Sequence, residues 1–479
     1  MKYLTMLIKS GKFSSYCLLL TISIFLNLLI TETVHAQERI SEDQSLLIDI
    51  FKELIEINTT DSDGNTTIAA QAMANRLTDG GFSETEVHVL SRDPAKGNLV
   101  AHYKGNGKKK PLLLLAHIDV VSVKKEEWSF DPFQLTESEG YYYGRGTTDD
   151  KAMAAIFIAN LISYQKEGFL PERDIIVCLT SDEENAGPNG IQWLLKEHRD
   201  LLEAELCITE GGSGQIINGE YKLLEIQLAE KNYQSYRMVA KSQGGHSAYP
   251  TKDNAIYKLS ESLLRISEYE FPAQLNESTK SYFKVMSTLN EGQLSADMKS
   301  ILNQPSDYEA INRLSKNPYF NTLLRTTCTA TMIEAGHAEN ALPQTATAVI
   351  NCRILPDTPM DDVYYTIRKV VANDNIEITP IWENIEGKPS PLSPLIMDKV
   401  TKVTNKLWPG IVVLPIMVPS ATDGLFVRNA GIPTYGVSGI FEDKNDVRAH
   451  GKDERIAKKA LFESQEFLYK LIKELSSSD

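Results

Sequence analysis

The chain has 479 residues, enough for two to four domains at roughly 100–200 residues each. Its 42% hydrophobic and 24% charged residues are ordinary for a soluble globular protein, and exclude a disordered chain, a collagen-like repeat and a multi-span membrane protein. A net charge of −15 argues against a protein that wraps phosphate backbones, and five cysteines are too few for a disulfide scaffold.

Residues 1–36 read as a secretory signal peptide. Lys2, Lys9 and Lys12 form a positive start, and 17–30 (CLLLTISIFLNLLI) is a mostly apolar run. That run is short for a membrane span of about 20 residues. Val34-His35-Ala36 precedes a plausible cut at Gln37. Cys17 lies inside the apolar run, which argues against a lipoprotein anchor. The reading predicts a secreted or periplasmic protein with no stable membrane association after cleavage. Losing Lys2, Lys9, Lys12 and Glu32 takes the net charge from −15 to −17. Cys178, Cys207, Cys328 and Cys352 remain, all in strand-like apolar runs. Bridges Cys178–Cys207 and Cys328–Cys352 fit neighbouring strands, and buried free thiols fit equally well.

Amphipathic helices are predicted over 44–57 and 66–80, the second ending at Gly80-Gly81. Apolar strands over 98–103 and 111–117 follow, then a helix over 151–166, a strand over 174–180 (DIIVCLT), a helix over 189–198 and a strand over 206–209. Apolar strands alternating with helices predict a mostly parallel sheet sandwiched by helices. The pattern changes near Asn232. Residues 233–240 alternate apolar and polar, a helix is predicted over 254–267, and 270–320 reads as polar and helical or irregular. Alternating strands at 325–333 and 345–354, a helix at 361–372 and a strand at 376–382 complete a β-α-β-β-α-β order. Gly387 to Pro391 is a turn-rich link, after which strands and helices resume and a helix over 453–475 ends the chain. The domain reading is a signal peptide at 1–36, an α/β domain in two parts (37–231 and 387–479), and an inserted α+β, ferredoxin-like lid or dimerisation domain at 232–386.

Six short segments carry chemistry, most of them beside an apolar run, where a parallel sheet presents its loops to a crevice. They are LLLLAHIDVV at 112–121, GRGTTDDK at 144–151, SDEENAG at 181–187, TEGG at 209–212, GGHS at 244–247 and AHGKD at 449–453. Taken singly each has an ordinary alternative, such as a satisfied histidine, an aspartate capping a helix, or an exposed acidic loop. Taken together, His117, Asp149, Glu184, Glu210 and His450 form a nitrogen and oxygen ligand set without thiolate, suited to Zn²⁺, with Co²⁺ or Mn²⁺ also fitting. Five protein ligands are too many for one catalytic zinc with an open position. They suit two zinc ions per chain, bridged by one carboxylate and a water. Glu183 is then left free to act as a base.

In motif order, HIDVV, GRGTTDDK, DEE, EGG, GGHSAYP and the late histidine resemble the di-zinc metallopeptidase family of aminoacylases, bacterial glutamate carboxypeptidase and succinyl-diaminopimelate desuccinylase. Trp128 with Asp131-Pro132-Phe133, and the larger inserted domain, are most similar to its carboxypeptidase S and fatty-acyl-amino-acid hydrolase/synthase branch. The resemblance implies a zinc-exopeptidase-like fold with a lid domain. It implies His117, Asp149 and Glu210 on one zinc and Asp149, Glu184 and His450 on the other, with Asp150 the alternative bridge. It implies that Asp119 orients His117, that Glu183 is the general base, and that His246 stabilises the oxyanion across a homodimer formed through the inserted domain. Arg353 would bind a substrate carboxylate. Asn340, in Glu339-Asn340-Ala341-Leu342-Pro343, resembles a substrate-binding asparagine, although Ala341-Leu342 departs from the usual Val-Ile. The expected activity is carboxypeptidase-type hydrolysis of small peptides by a metal-bridging water. The alternatives are an N-acyl amino acid hydrolase or synthase, and a non-catalytic metal-binding protein of the same fold. Ser420 to Gly424 is predicted to open and cap a helix, or to line substrate as a similar segment does in the family. No nucleic-acid partner is expected.

Overall fold

Strands Leu112–His117 and Ile175–Thr180 are buried at every position, as expected of apolar runs covered on both faces. The computed structural model describes residues 41–185, 189–382 and 385–477, so the expected signal peptide lies outside the described residues. The two strands run parallel at the heart of a ten-stranded sheet. Its order is Val87–Ser91, Gly97–Tyr103, Ile175–Thr180, Leu112–His117, Leu206–Thr209, Thr434–Gly436, Glu220–Glu230, Gly214–Ile217 and Phe441–Asp443, with Val412–Val418 joined to Glu220–Glu230. The stretch from Ile175–Thr180 to Thr434–Gly436 is parallel, so these strands share one C-terminal edge.

Helix Lys151–Glu167 is apolar nearly all round and buried from Lys151 to Tyr164. That pattern belongs to a helix covered on both sides, and this one packs between the sheet and the last helix, Lys458–Ser476. It ends where Gly168 adopts a left-handed conformation (φ 67°). Lys151 sits inside this shell. Its ammonium donates to the carbonyls of Leu54 (2.8 Å) and Ile57 (2.9 Å), and burial pulls its pKa down to about 7.

The inserted segment builds its own four-stranded antiparallel sheet, in the order Thr327–Ala335, Thr345–Ile354, Asn232–Lys241, Ile376–Pro380. Helices Ala255–Glu268 and Met360–Val371 cover one face around Tyr236, Met238, Ile350, Leu259 and Ile367. Cys328 stands opposite Cys352 in this register and the two are disulfide-bonded. Cys178 and Cys207 are buried free thiols, because strand Leu112–His117 lies between their strands.

Residues 277–324 fold into helices Glu277–Leu289, Gly292–Asn303, Tyr308–Leu314 and Pro318–Leu324. Phe283, Met298 and Ile311 share a core with Leu223, Leu414 and Ile416 of the large sheet rather than with the small one. One sequence expectation needs correction here, and one strand was not anticipated. The final helix begins at Lys458, not at 453, since Asp453 takes a left-handed φ of 51° and Arg455–Ala457 pairs with Tyr141–Tyr143 as a strand. Glu220–Glu230, the longest strand of the large sheet, went unread because charged residues at its ends and middle mask its apolar alternation.

Leu114 is fully buried in the central parallel strand. Leu114→Ala should cost about 2–5 kcal/mol in urea unfolding, while Leu170→Ala, at a position 68% exposed, should shift stability by no more than about 0.5 kcal/mol.

Candidate metal centre

Three adjacent parallel strands deliver the first ligand candidates. His117 ends one, Glu183 and Glu184 follow Thr180 of the next, and Glu210 follows Thr209 of the third. Asp149 comes from the loop before helix Lys151–Glu167, and His450 from the loop before strand Arg455–Ala457. The fold brings these residues together from across the chain. His117 Nε2 lies 2.9 Å from Asp149 Oδ1 and 3.8 Å from Glu210 Oε1. His450 Nε2 lies 3.1 Å from Asp149 Oδ2 and 3.0 Å from Glu184 Oε2. The two oxygens of Asp149 therefore face two different imidazoles. Asp150 also stands close, with ligand atoms of His117, Asp150 and Glu210 mutually within 4.8 Å.

The donor chemistry fits cations. His117 Nδ1 is 3.1 Å from the Asp119 carbonyl oxygen, so its proton belongs there. Nε2 then faces two carboxylates, an arrangement that needs a positive charge there, either a proton or a cation. Glu184 Oε1 and Asp150 Oδ2 are buried with no hydrogen-bond partner among the described residues, open acceptors of the kind a metal takes up.

The electrostatics reflect crowding. Burial pushes the carboxyls of Glu183 and Asp150 well above the ordinary range and that of Glu210 up to about 8, with neighbouring carboxylates adding to the effect. Burial opposes protonation of His117, but hydrogen bonds to Asp119 and Asp149 outweigh it and hold the imidazole well above its usual value. His450 is lifted to about 10 by its hydrogen bonds to Asp149 and Glu184. Asp149 is also buried, yet its contacts with both histidines keep it below the usual carboxylate range.

Neighbouring groups hold this arrangement. The Asp119 carboxylate accepts the backbone N–H groups of Glu183 (3.1 Å) and Glu184 (3.0 Å), and sits 3.7 Å from His117 Nδ1. It thus positions the acidic loop as well as the imidazole. Asp182, first of the three consecutive carboxylates, turns away at φ 62° to pair with Lys96 at 2.6 Å. The segment 420–424 opens helix Gly424–Asn429 as expected, with the Thr422 hydroxyl accepting the Gly424 N–H at 3.2 Å, while the Asp423 side chain at the N-cap position does not cap. It accepts the Thr180 hydroxyl and the Asn189 amide, both at 2.6 Å, clamping the two ends of the loop that carries Glu183 and Glu184. Asp150 likewise precedes a helix without capping it.

The inserted sheet supplies the remaining candidates. His246 and Asn340 meet on a short ribbon, where His246 pairs with Ala341 and the Ser247 N–H donates to the Asn340 carbonyl at 3.0 Å. Both are exposed, and no contact among the described residues joins them to the ligand cluster. The Arg353 guanidinium stacks over Tyr233 at 4.7 Å, and its Nη1 lies 3.5 Å from the Pro419 carbonyl oxygen, at the start of the segment leading to Asp423. Sequence reasoning missed Glu454, a fully buried carboxylate that accepts the N–H groups of Gly146 (3.0 Å), Thr148 (2.8 Å) and Asp149 (3.2 Å). The only sequence signal was its place just after the AHGKD segment, where a Glu reads as the start of a helix.

Residues 113–474 match peptidase family M20/M25/M40. The chain is 28% identical over 376 residues to the N-fatty-acyl-amino acid synthase/hydrolase of Xenopus tropicalis, covering 76% of this chain and 72% of that one. It is 27% identical over 393 residues to the probable carboxypeptidase S-like 2 of Dictyostelium discoideum, covering 79% and 74%. Its fold resembles that of the M20 family metallo-carboxypeptidase Sso-CP2 from Sulfolobus solfataricus, with a TM-score of 0.67 at 16% identity over 90% of this chain and 99% of that one. A parallel sheet whose strand ends gather histidines and carboxylates, and a family match over most of the sequence, place the chain in peptidase family M20/M25/M40, as an enzyme of the metallopeptidase and amidohydrolase class.

Proposed function

We propose that this protein is a secreted di-zinc exopeptidase that hydrolyses the amide next to a C-terminal carboxylate in small peptides. The observation that carries the reading is Asp149 between two imidazoles, each backed by a further carboxylate, Glu210 on one side and Glu184 on the other. His117, Asp149 and Glu210 would hold one metal ion, and Asp149, Glu184 and His450 the other. Bound there, two divalent cations would polarise the scissile carbonyl and acidify water.

The chain's own groups do the rest. Burial raises the basicity of Glu183, the direction that suits a carboxylate to take a proton from the attacking water near neutral pH. The same carboxyl then returns that proton to the departing amine. Arg353 would hold the substrate carboxylate by a two-pronged hydrogen bond, with Asn340 a further contact to substrate. His246 would donate to the oxygen on which negative charge develops. Because it is exposed within its own chain, it would act from a second subunit. Met332 and Ile333 (67% and 63% exposed), on the edge strand of the inserted sheet, are apolar surface suited to such a homodimer. The signal-like segment at 1–36 supports export.

A second reading, hydrolysis or synthesis of N-acyl amino acids, draws support from the Xenopus relative. Those substrates also carry an amide beside a carboxylate, so Arg353 serves both. The presence of Glu183 and all five ligand candidates supports an enzyme over a non-catalytic metal-binding protein.

The deciding experiment measures metal content of the mature protein by mass spectrometry, with hydrolysis of a panel of dipeptides and N-acyl amino acids. About two zinc ions per chain and chelator-sensitive release of a C-terminal amino acid are expected. Faster turnover of acyl amino acids would promote the second reading, and absence of both metal and turnover after zinc repletion would overturn both. Glu183→Gln should keep both metals and lose roughly 10²–10⁴-fold in kcat; full activity in the metal-loaded variant would remove Glu183 as the base. His246→Ala should lower kcat by roughly 10²–10³-fold at unchanged metal content, and parallel loss of metal would instead make it a ligand.

A further inference from the structure

Glu454 and Arg145 join two loops that lie 305 residues apart in sequence. Glu454 is fully buried and Arg145 is 2% exposed. One Glu454 oxygen, Oε2, accepts Arg145 Nη1 at 2.6 Å and the Gly146 N–H at 3.0 Å. The other, Oε1, accepts the Thr148 N–H (2.8 Å), the Thr148 hydroxyl (3.0 Å) and the Asp149 N–H (3.2 Å). Arg145 Nη2 meanwhile donates to the carbonyls of His450 (3.3 Å) and Gly451 (3.1 Å). His450 adopts a left-handed φ of 62°, which a non-glycine residue keeps only when its surroundings hold it. A main-chain bond from Gly144 N–H to the Glu454 carbonyl (3.1 Å) closes the arrangement.

We infer that the Glu454–Arg145 pair is the positioning device that fixes the distance between Asp149 and His450, and so sets the affinity of the metal position those two residues share. The inference rests on the dinuclear reading above. Its physical basis is that Glu454 offers only acceptors, and five donors converge on it. A glutamine keeps one acceptor oxygen and turns an NH₂ toward donors on the other side, so one branch of the clamp must open. The Asp149 backbone or the Arg145 bridge to His450 is then released, and two ligands lose their common frame. Neither Glu454 nor Arg145 needs to touch a metal or the substrate for this to hold.

The test is a zinc titration of the apoprotein against a competing chelator, for the unaltered protein, Glu454→Gln and Arg145→Lys, with circular dichroism to confirm folding. Cobalt substitution provides a second readout, the visible absorption of the bound ion. Glu454→Gln should lose roughly 10–100-fold in affinity at one of two sites, the usual effect of removing an outer-shell partner, with an altered cobalt spectrum. Arg145→Lys keeps a positive charge but cannot span Glu454 and two carbonyls, so it should weaken the same site. If Glu454→Gln does not fold, Arg145→Lys alone decides. Unchanged affinity and spectrum in a folded variant would overturn the inference. Failure of the unaltered protein to bind metal would instead overturn the dinuclear reading itself.

Discussion

The structure depends on how negative charge is balanced at the C-terminal edge of three parallel strands. Asp119, Asp149, Asp150, Glu183, Glu184, Glu210 and Asp423 converge there, and among the described residues His117 and His450 are the imidazoles against them. An unpaired carboxylate inside a protein costs several kcal/mol. Such a cluster persists only if protons or metal cations share it. The balance of burial and neighbouring charge favours protons at the histidines, which are held well above their ordinary pKa, and at Glu210, which burial pushes up to about 8. Each proton occupies a position where a divalent cation would supply more charge, so uptake of metal and release of protons are coupled.

The supporting groups are chosen to leave that charge in place. Asp119 is satisfied by two backbone N–H groups, and Asp423 by a hydroxyl and an amide. Neutral donors fix a carboxylate without cancelling its charge toward the centre. Cations pair with carboxylates outside the ligand set, where Asp182 takes Lys96 and Glu454 takes Arg145. Lys151, the cation nearest Asp149 in sequence, is drawn away into the carbonyls of Leu54 and Ile57. A lysine turned toward Asp149 would satisfy that aspartate and compete with metal.

What was legible in the sequence follows from this division. The parallel sheet could be read because its strands are buried on both faces and so appear as apolar runs, and Leu206–Thr209 and Thr345–Ile354 fall at the predicted residues. The β-α-β-β-α-β order of the inserted sheet was visible because a half-covered sheet alternates. Ligand candidates stood out because carboxylates at strand ends are costly without a purpose. The roles of Glu454 and Asp423 did not stand out, because a carboxylate whose donors come from distant loops looks in sequence like any helix-capping acid. The core shared by the helices of 277–324 and the large sheet was also hidden, since it depends on Val412–Val418 returning to pair with Glu220–Glu230 from far along the chain.

The junction between the two sheets presents the opposite imbalance. Asn232 Oδ1 accepts the Gly387 N–H at 2.7 Å, tying together the two crossings of the chain. Lys231 donates to the carbonyls of Thr322 (3.0 Å) and Arg325 (2.8 Å), fixing the helical insertion to the same point. On this braced junction Arg353 lies half-buried against Tyr233, and burial lowers its pKa from the ordinary value. No carboxylate pairs with it among the described residues. A half-buried guanidinium without an anion is the counterpart of a carboxylate cluster that lacks cations. A substrate with a free carboxylate beside its scissile amide would relieve that imbalance on binding. The lone guanidinium thus obeys the same rule of charge as the carboxylate cluster, with the sign reversed.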